Sequence, residues 1–173
     1  MRAWGLPLLL GLILAITGYI AEMSYYPKLL MWGATRMVAK GAGYNTLFAA
    51  DLPSDKARVV VRPSPDLAYS TCPFDLSNGP VLVDVEPMPS PYWSLSAFDH
   101  RTDVAFVRNN IEAEGQPIRV AIAQAGQPVP DGMQAVRVTG STGIALIRIL
   151  VQDRSQFPAI DAARRKSSCK PLS

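Results

Sequence analysis

The chain has 173 residues, 49% of them hydrophobic, and a formal net charge of +3. That length suffices for one domain with a real core, and 15 Pro and 12 Gly suit a turn-rich chain better than a helical bundle. The mild, scattered charge lacks the dense basic stripe that a phosphate backbone requires, so no nucleic acid is expected as a partner.

Residues Gly5 to Ala21 carry no charge and are almost wholly apolar. With Trp4 before the run and Tyr25 and Tyr26 after it, residues 1–26 reach the roughly 20 needed for a membrane-spanning helix with interfacial aromatic anchors. A cleaved signal peptide is the rival. It needs small residues at the cleavage site, but Tyr19 or Ile16 stands at the −3 position. An uncleaved anchor is expected, and the lipid bilayer is thus the first partner. Arg2 alone precedes the span, whereas Lys28, Arg36 and Lys40 follow it, so the positive-inside rule by itself keeps the following domain in the cytoplasm.

Residues 27–43 read as a juxtamembrane amphipathic segment, with Leu29, Leu30, Trp32, Met37 and Val38 set among three basic residues. A short helix on the membrane surface and one packed on the following domain fit equally well. Gly41 and Gly43 end it.

Residues 44–166 carry the marks of a β-domain. Arg58 to Arg62 is a β-branched run stopped by Pro63 and Pro65. Leu67 to Leu76 forms the next strand, with Ala68, Cys72, Phe74 and Leu76 on one face and Leu67, Tyr69 and Thr71 on the other. Ser77-Asn78-Gly79 is the strongest hairpin signal, because Asn-Gly readily takes the positive φ angles of a type I′ turn. Val81 to Glu86 alternates. Tyr92 to Asp99 follows, and then Thr102 to Arg108 with Val104 and Phe106 inward. Strands around Ile118–Ile122 and Val136–Val138 come next. The run IALIRILV is apolar on both faces and so reads as a central strand, which makes Arg148 within it conspicuous. Ser155 to Lys166 closes the domain as a short helix, and residues 167–173 are a flexible tail. The expected fold is therefore an all-β sandwich or jelly roll with an N-terminal transmembrane helix and a short C-terminal helix.

Two cysteines are too few for a disulfide scaffold, and their spacing excludes a zinc ribbon or a redox pair. In an exported domain Cys72 and Cys169 can pair. Otherwise Cys72 is a small buried hydrophobe and Cys169 a free tail thiol.

His100 is the only histidine, which excludes a multi-histidine metal site. Asp99, His100 and Asp103 lack recognised metal spacing and read as turn residues. There is no Gly-x-Ser-x-Gly elbow. Arg62, Asp66 and Tyr69 cluster beside two prolines. The plainer reading is an Asp bonded to turn amides and a packed Tyr. The functional one is a polar pocket in which Arg62 or Arg148 grips an anionic group. Neither a cofactor nor a catalytic set is expected.

At these residues the sequence resembles the domain of unknown function 1254 family. The matching segments are Asn45-Thr46-Leu47, VVVRPSPDLAYS, DLSNGPVLVDVE, Tyr92 to Leu95 and IALIRILVQD, spread over residues 41–165. The family pattern runs approximately Val-Arg-Pro-Asn-x-Asp-Thr-Leu-Tyr-Ser. Arg62, Pro63, Asp66, Tyr69 and Ser70 match it, whereas Ser64, Leu67 and Ala68 depart. The resemblance implies a β-domain that in larger relatives precedes a second one, domain of unknown function 1214, in commonly exported proteins. It therefore turns the orientation toward the periplasm, with the anchor in a bacterial inner membrane. It also implies a partner: a separate membrane-anchored protein carrying the domain of unknown function 1214. The expectation is a non-enzymatic envelope module that binds this partner. The alternative is a hydrolase-like envelope enzyme acting on a lipid or glycan, with Arg62, Asp66, Tyr69, His100 and Arg148 as its pocket.

Overall fold

The uncharged N-terminal run forms helix α1, Gly5–Ala42, in the computed structural model of the chain, which describes residues 4–54 and 63–172. At a rise of about 1.5 Å per residue it is roughly 57 Å long. Side chains from Trp4 to Tyr26 are all exposed. Among the described residues α1 is the one helix long and apolar enough to cross a membrane, by length and composition. Within α1 no break separates the anchor segment from the juxtamembrane segment after Tyr26. Pro27 lies inside the helix without ending it, because the good helix formers Lys28 to Met31 carry the chain past the single lost backbone bond. Beyond it, Met31 and Thr35, one turn apart, are buried. Thr35 turns its hydroxyl back to the Met31 carbonyl at 2.9 Å, so its burial leaves no polar group unpaired. Of the two settings open to this segment, its Met31–Thr35 face takes packing against the β-domain. Gly43, at φ 85°, ends the helix with its N–H on the Ala39 carbonyl.

The rest forms two sheets packed face to face. One has the order β1-β2-β8-β4-β5, built from Phe48–Ala49, Leu67–Asp75, Thr142–Leu150, Trp93–Phe98 and Val104–Asn109. The other has the order β7-β6-β3-β9, built from Gln134–Val138, Ile118–Gln124, Val81–Val85 and Ser168–Pro171. All pairings are antiparallel except β6 with β7. Period-two alternation selects the core. Cys72, Phe74, Trp93, Leu95, Ile147 and Ile149 face Val83, Val85, Ile118, Val120 and Ile122, all buried. β8 lies between β2 and β4, as its two apolar faces predict, and a short helix α2, Phe157–Arg164, packs Ile160 into one end.

Three expectations need correction. The Asn78-Gly79 turn is not a hairpin, because β2 and β3 belong to different sheets. The Gly79 N–H bonds the Leu76 carbonyl, and the Asp75 carboxylate accepts from the Ser77 N–H and hydroxyl. This Asx-type arch carries the chain from one sheet to the other, and only Gly79 takes a positive φ.

Val104 is 58% exposed rather than inward. The register shifts between Ala97 and Phe98, opposite the start of β5, so an alternation read from β5 alone assigns Val104 to the wrong face. β5 is also an edge strand of its sheet.

Most of the tail is a strand. Ser168–Pro171 pairs with β3, and Cys169 is buried and joined by a disulfide to Cys72 with its Cα 6.4 Å away. An added strand and a covalent bond hold residues whose composition alone marks them as free.

The expected short C-terminal helix is present as α2, and it buries Arg164 fully. The predicted strand Arg58–Arg62 lies outside the described residues.

Candidate functional site

β2 and β8 bring two of the sequence-predicted residues together. Tyr69 is the register partner of Arg148, and Arg148 in turn is the partner of Ser94 on β4. Since side chains alternate faces, these three form a row across the outer face of the five-stranded sheet, the face toward α1. Tyr69 accepts the Ser64 N–H on its hydroxyl at 3.0 Å, a scaffold bond that closes the turn before β2. Arg148 is half-buried, and its Nε is buried without a hydrogen-bond partner. The hydroxyls of Ser94 and Ser96, on the same face of β4, are likewise buried and unpartnered.

The other predicted residues do not join this row. Asp66 is exposed, and its contribution to the fold is its carbonyl, which accepts the Val151 N–H at 2.8 Å. Arg62 lies outside the described residues. His100 sits at the other end of the sheet, beyond Phe98, whose partner on β8 is Ile144. Ile144 is four residues from Arg148, about 13 Å along a strand. There the His100 Nδ1 meets the Thr139 carbonyl at 2.8 Å. Asp99 is buried beside it and accepts from the Thr139 hydroxyl at 2.6 Å and from the N–H groups of Arg101 and Asp103 at 2.7 and 3.1 Å. Asp99 and His100 thus lock the β4–β5 turn to the connection before β8. Gly140 is required at that contact, because a Cβ there would strike the imidazole at 2.5 Å. Among the described residues no cluster of three metal-ligating side chains occurs.

Two features were not singled out from the sequence. The first is a groove of about 770 Å³ between α1 and the outer sheet face, with Met31, Ala34, Val38, Tyr69, Phe98, Ile144 and Leu146 among its lining. Its signal was the second apolar face of β8, which marks a central strand and equally a strand with something packed above it. The second is Arg164. Its Nη1 donates to the Tyr69 carbonyl at 2.8 Å, its Nη2 to the Ala50 carbonyl at 2.6 Å and its Nε to Asp161 at 2.7 Å. The guanidinium therefore fastens α2 to β2 and to the chain just after β1. Asp161 also accepts from Arg165, and these bonds, that of Arg165 first, hold its carboxyl below the usual carboxylate range. The Arg165 guanidinium is raised in turn by the same carboxylate.

The sequence profile of the family described as "Protein of unknown function (DUF1254)" matches residues 44–171. Two solved structures share the fold. One is the VPA0106 protein from Vibrio parahaemolyticus, 15% identical with a TM-score of 0.70, where the match covers 88% of this chain and 37% of that one. The other is an uncharacterised protein from Burkholderia cenocepacia, 16% identical with a TM-score of 0.51, covering 88% and 42%. The chain thus spans well under half the length of these two relatives. A comparison with curated proteins gave no match.

Proposed function

The chain belongs to the DUF1254 family, and from that membership we propose that it is a membrane-anchored envelope domain that works by binding rather than by catalysis. The observation that carries this reading is the unbroken helix α1. Its first half exposes apolar side chains all round, and its second half packs Met31 and Thr35 against the β-domain. One rigid element therefore serves as bilayer anchor and as part of the domain, fixing the sandwich at the surface of a bacterial inner membrane. The arrangement of the polar candidates agrees. Tyr69 and His100 are spent on scaffold bonds at opposite ends of the sheet, so they do not converge on a reacting atom.

The Cys72–Cys169 bond favours the periplasmic side, since disulfides persist in oxidising compartments. It outweighs the basic residues after the span. The partner proposed is a second membrane-anchored protein carrying the domain of unknown function 1214.

Reporter fusions at Ser173 test the compartment. Alkaline phosphatase is expected to be active there, and activity only of a fluorescent protein that folds in the cytoplasm would reverse the orientation. Affinity purification in mild detergent with mass spectrometry tests the partner. Recovery of this chain alone would sink the binding reading.

A further inference from the structure

The groove between α1 and the sheet has the lining of a site for an aliphatic chain. Met31, Ala34 and Val38 form one wall, and Ile144, Leu146 and Phe98 the other. Its volume of about 770 Å³ lies within the range of small-molecule sites. α1 leads directly into it. Tyr26 is still on the exposed stretch, and Leu30, which lines the groove, is only one turn further on, about 6 Å along the axis. A chain leaving a bilayer alongside α1 would reach the groove with little exposure to water.

The rim supplies what a purely apolar pocket lacks. Arg148 stands opposite Tyr69, which lines the groove, and two residues from Leu146, which also lines it. It makes no ion pair with any described residue, and its Nε is buried and unpartnered. Ser94, the partner of Arg148 on β4, and Ser96, the partner of Leu146, bury unpartnered hydroxyls on the same face. The serines are fully buried, whereas Arg148 is only half-buried, and a charged donor left without a partner is costly enough to point to an acceptor there. A phosphate offers several oxygens and matches a guanidinium well.

We infer that the groove holds an acyl chain of an anionic phospholipid drawn from the bilayer, with its phosphate on Arg148. The inference rests on the anchoring proposed above, because the bilayer supplies the ligand. A helix from a partner protein would also cover the apolar walls, but it would need a carboxylate of its own to meet Arg148, and it would not arrive along α1 from the bilayer.

The test is native mass spectrometry of the full chain, purified from membranes in mild detergent and titrated with phosphatidylglycerol or phosphatidylcholine. The wild type is expected to retain one phosphatidylglycerol through detergent removal. Ala34→Trp and Ile144→Trp, filling the groove from opposite walls, are expected to abolish retention, and Leu146→Phe is a milder filler should either fail to fold. Arg148→Gln is expected to keep acyl binding but to lose roughly tenfold in preference for the anionic lipid, the effect of one charged hydrogen-bonding group. Equal lipid retention by wild type and filled variants overturns the inference, as does a polypeptide displaced by Ala34→Trp in place of a lipid. Carbonate extraction reads the anchoring separately. Protein released by carbonate that still takes up phosphatidylglycerol overturns the anchor but not the groove. Protein that stays in the membrane yet takes up none overturns the groove alone.

Discussion

Cys72 of β2 and Cys169 of β9 are joined across the sandwich, 97 residues apart in sequence. They lie on different sheets, so the bond ties the last strand of one sheet to the second strand of the other. β9 is an edge strand of four residues paired only with β3, and its hold on the domain depends on that bond. Closing so long a loop restricts the unfolded chain by about 4–5 kcal/mol in the chain-entropy model. Cys169→Ala is therefore expected to lower the denaturant midpoint substantially, and reductant to do the same to the wild type while leaving the variant unchanged. Equal midpoints with and without reductant would show that β9 holds without the bond.

Arg164 donates to the Tyr69 carbonyl, which also accepts the Ala50 N–H at 3.1 Å, and to the Ala50 carbonyl, while it is itself paired with Asp161. Removing the guanidinium takes a charged donor from both carbonyls and leaves Asp161 with Arg165 alone. Arg164→Met is expected to cost about 3–5 kcal/mol in urea unfolding, the range for breaking a buried pair. Arg164→Lys is expected to recover little, because a single ammonium cannot supply the planar fork that reaches three acceptors. Full rescue by lysine would reduce Arg164 to a simple charge.

The β-strands were the legible part of the fold. Alternation places Val81, Val83 and Val85 inward, and the doubly apolar run around Ile147 marks the central strand, because burial on one or both faces writes itself into local sequence. Sheet membership is not local. Asn78-Gly79 has hairpin chemistry, yet the strands on either side pair with β8 and β6, far away in sequence. The same limit hid Arg164, whose partners lie 95 and 114 residues away, and β9, which needs β3 and Cys72 to be a strand at all. Of the candidate site, the Tyr69–Arg148 pairing and the groove arise only from register and from the docking of α1.

Asp161 gives the α2 junction a pH dependence. The guanidinium groups of Arg165 and Arg164 lower its carboxyl below the usual range. A depressed folded value means that the stabilisation is complete above the unfolded carboxylate pKa of about 3.9 and is lost as pH falls through the lower folded value. Stability curves against pH are expected to show Asp161→Asn less stable than wild type near neutrality, with the two converging in that acid window. A difference constant down to the lowest pH would assign the effect to packing rather than to charge.

Gly143 sits where β8 passes between Phe74 and Phe98. A Cβ built on it would collide with the Phe98 carbonyl oxygen and the Phe74 ring. The Phe98 oxygen is backbone within a paired strand and has little room to move. Gly143→Ala is thus expected to destabilise by about 1–3 kcal/mol or more, the range for overpacking a core. Phe74→Leu in the same chain should recover only part of this, since it relieves the ring contact and leaves the carbonyl. Complete recovery would place all of the strain on the ring.

Tyr69 and Asp66 differ as scaffold despite their common motif. The Tyr69 hydroxyl accepts the Ser64 N–H in a partly buried setting, so Tyr69→Phe leaves that donor without its partner at a cost of about 1 kcal/mol. The Asp66 carboxylate is exposed, and its carbonyl, which holds Val151, survives any side-chain change. Asp66→Ala is therefore expected to shift stability by no more than about 0.5 kcal/mol. Urea unfolding of both variants separates the cases. An Asp66→Ala variant that stays folded but no longer recovers the partner in detergent would place Asp66 on the binding surface. Unfolding of that variant would instead give its carboxylate a structural bond, contrary to its exposure.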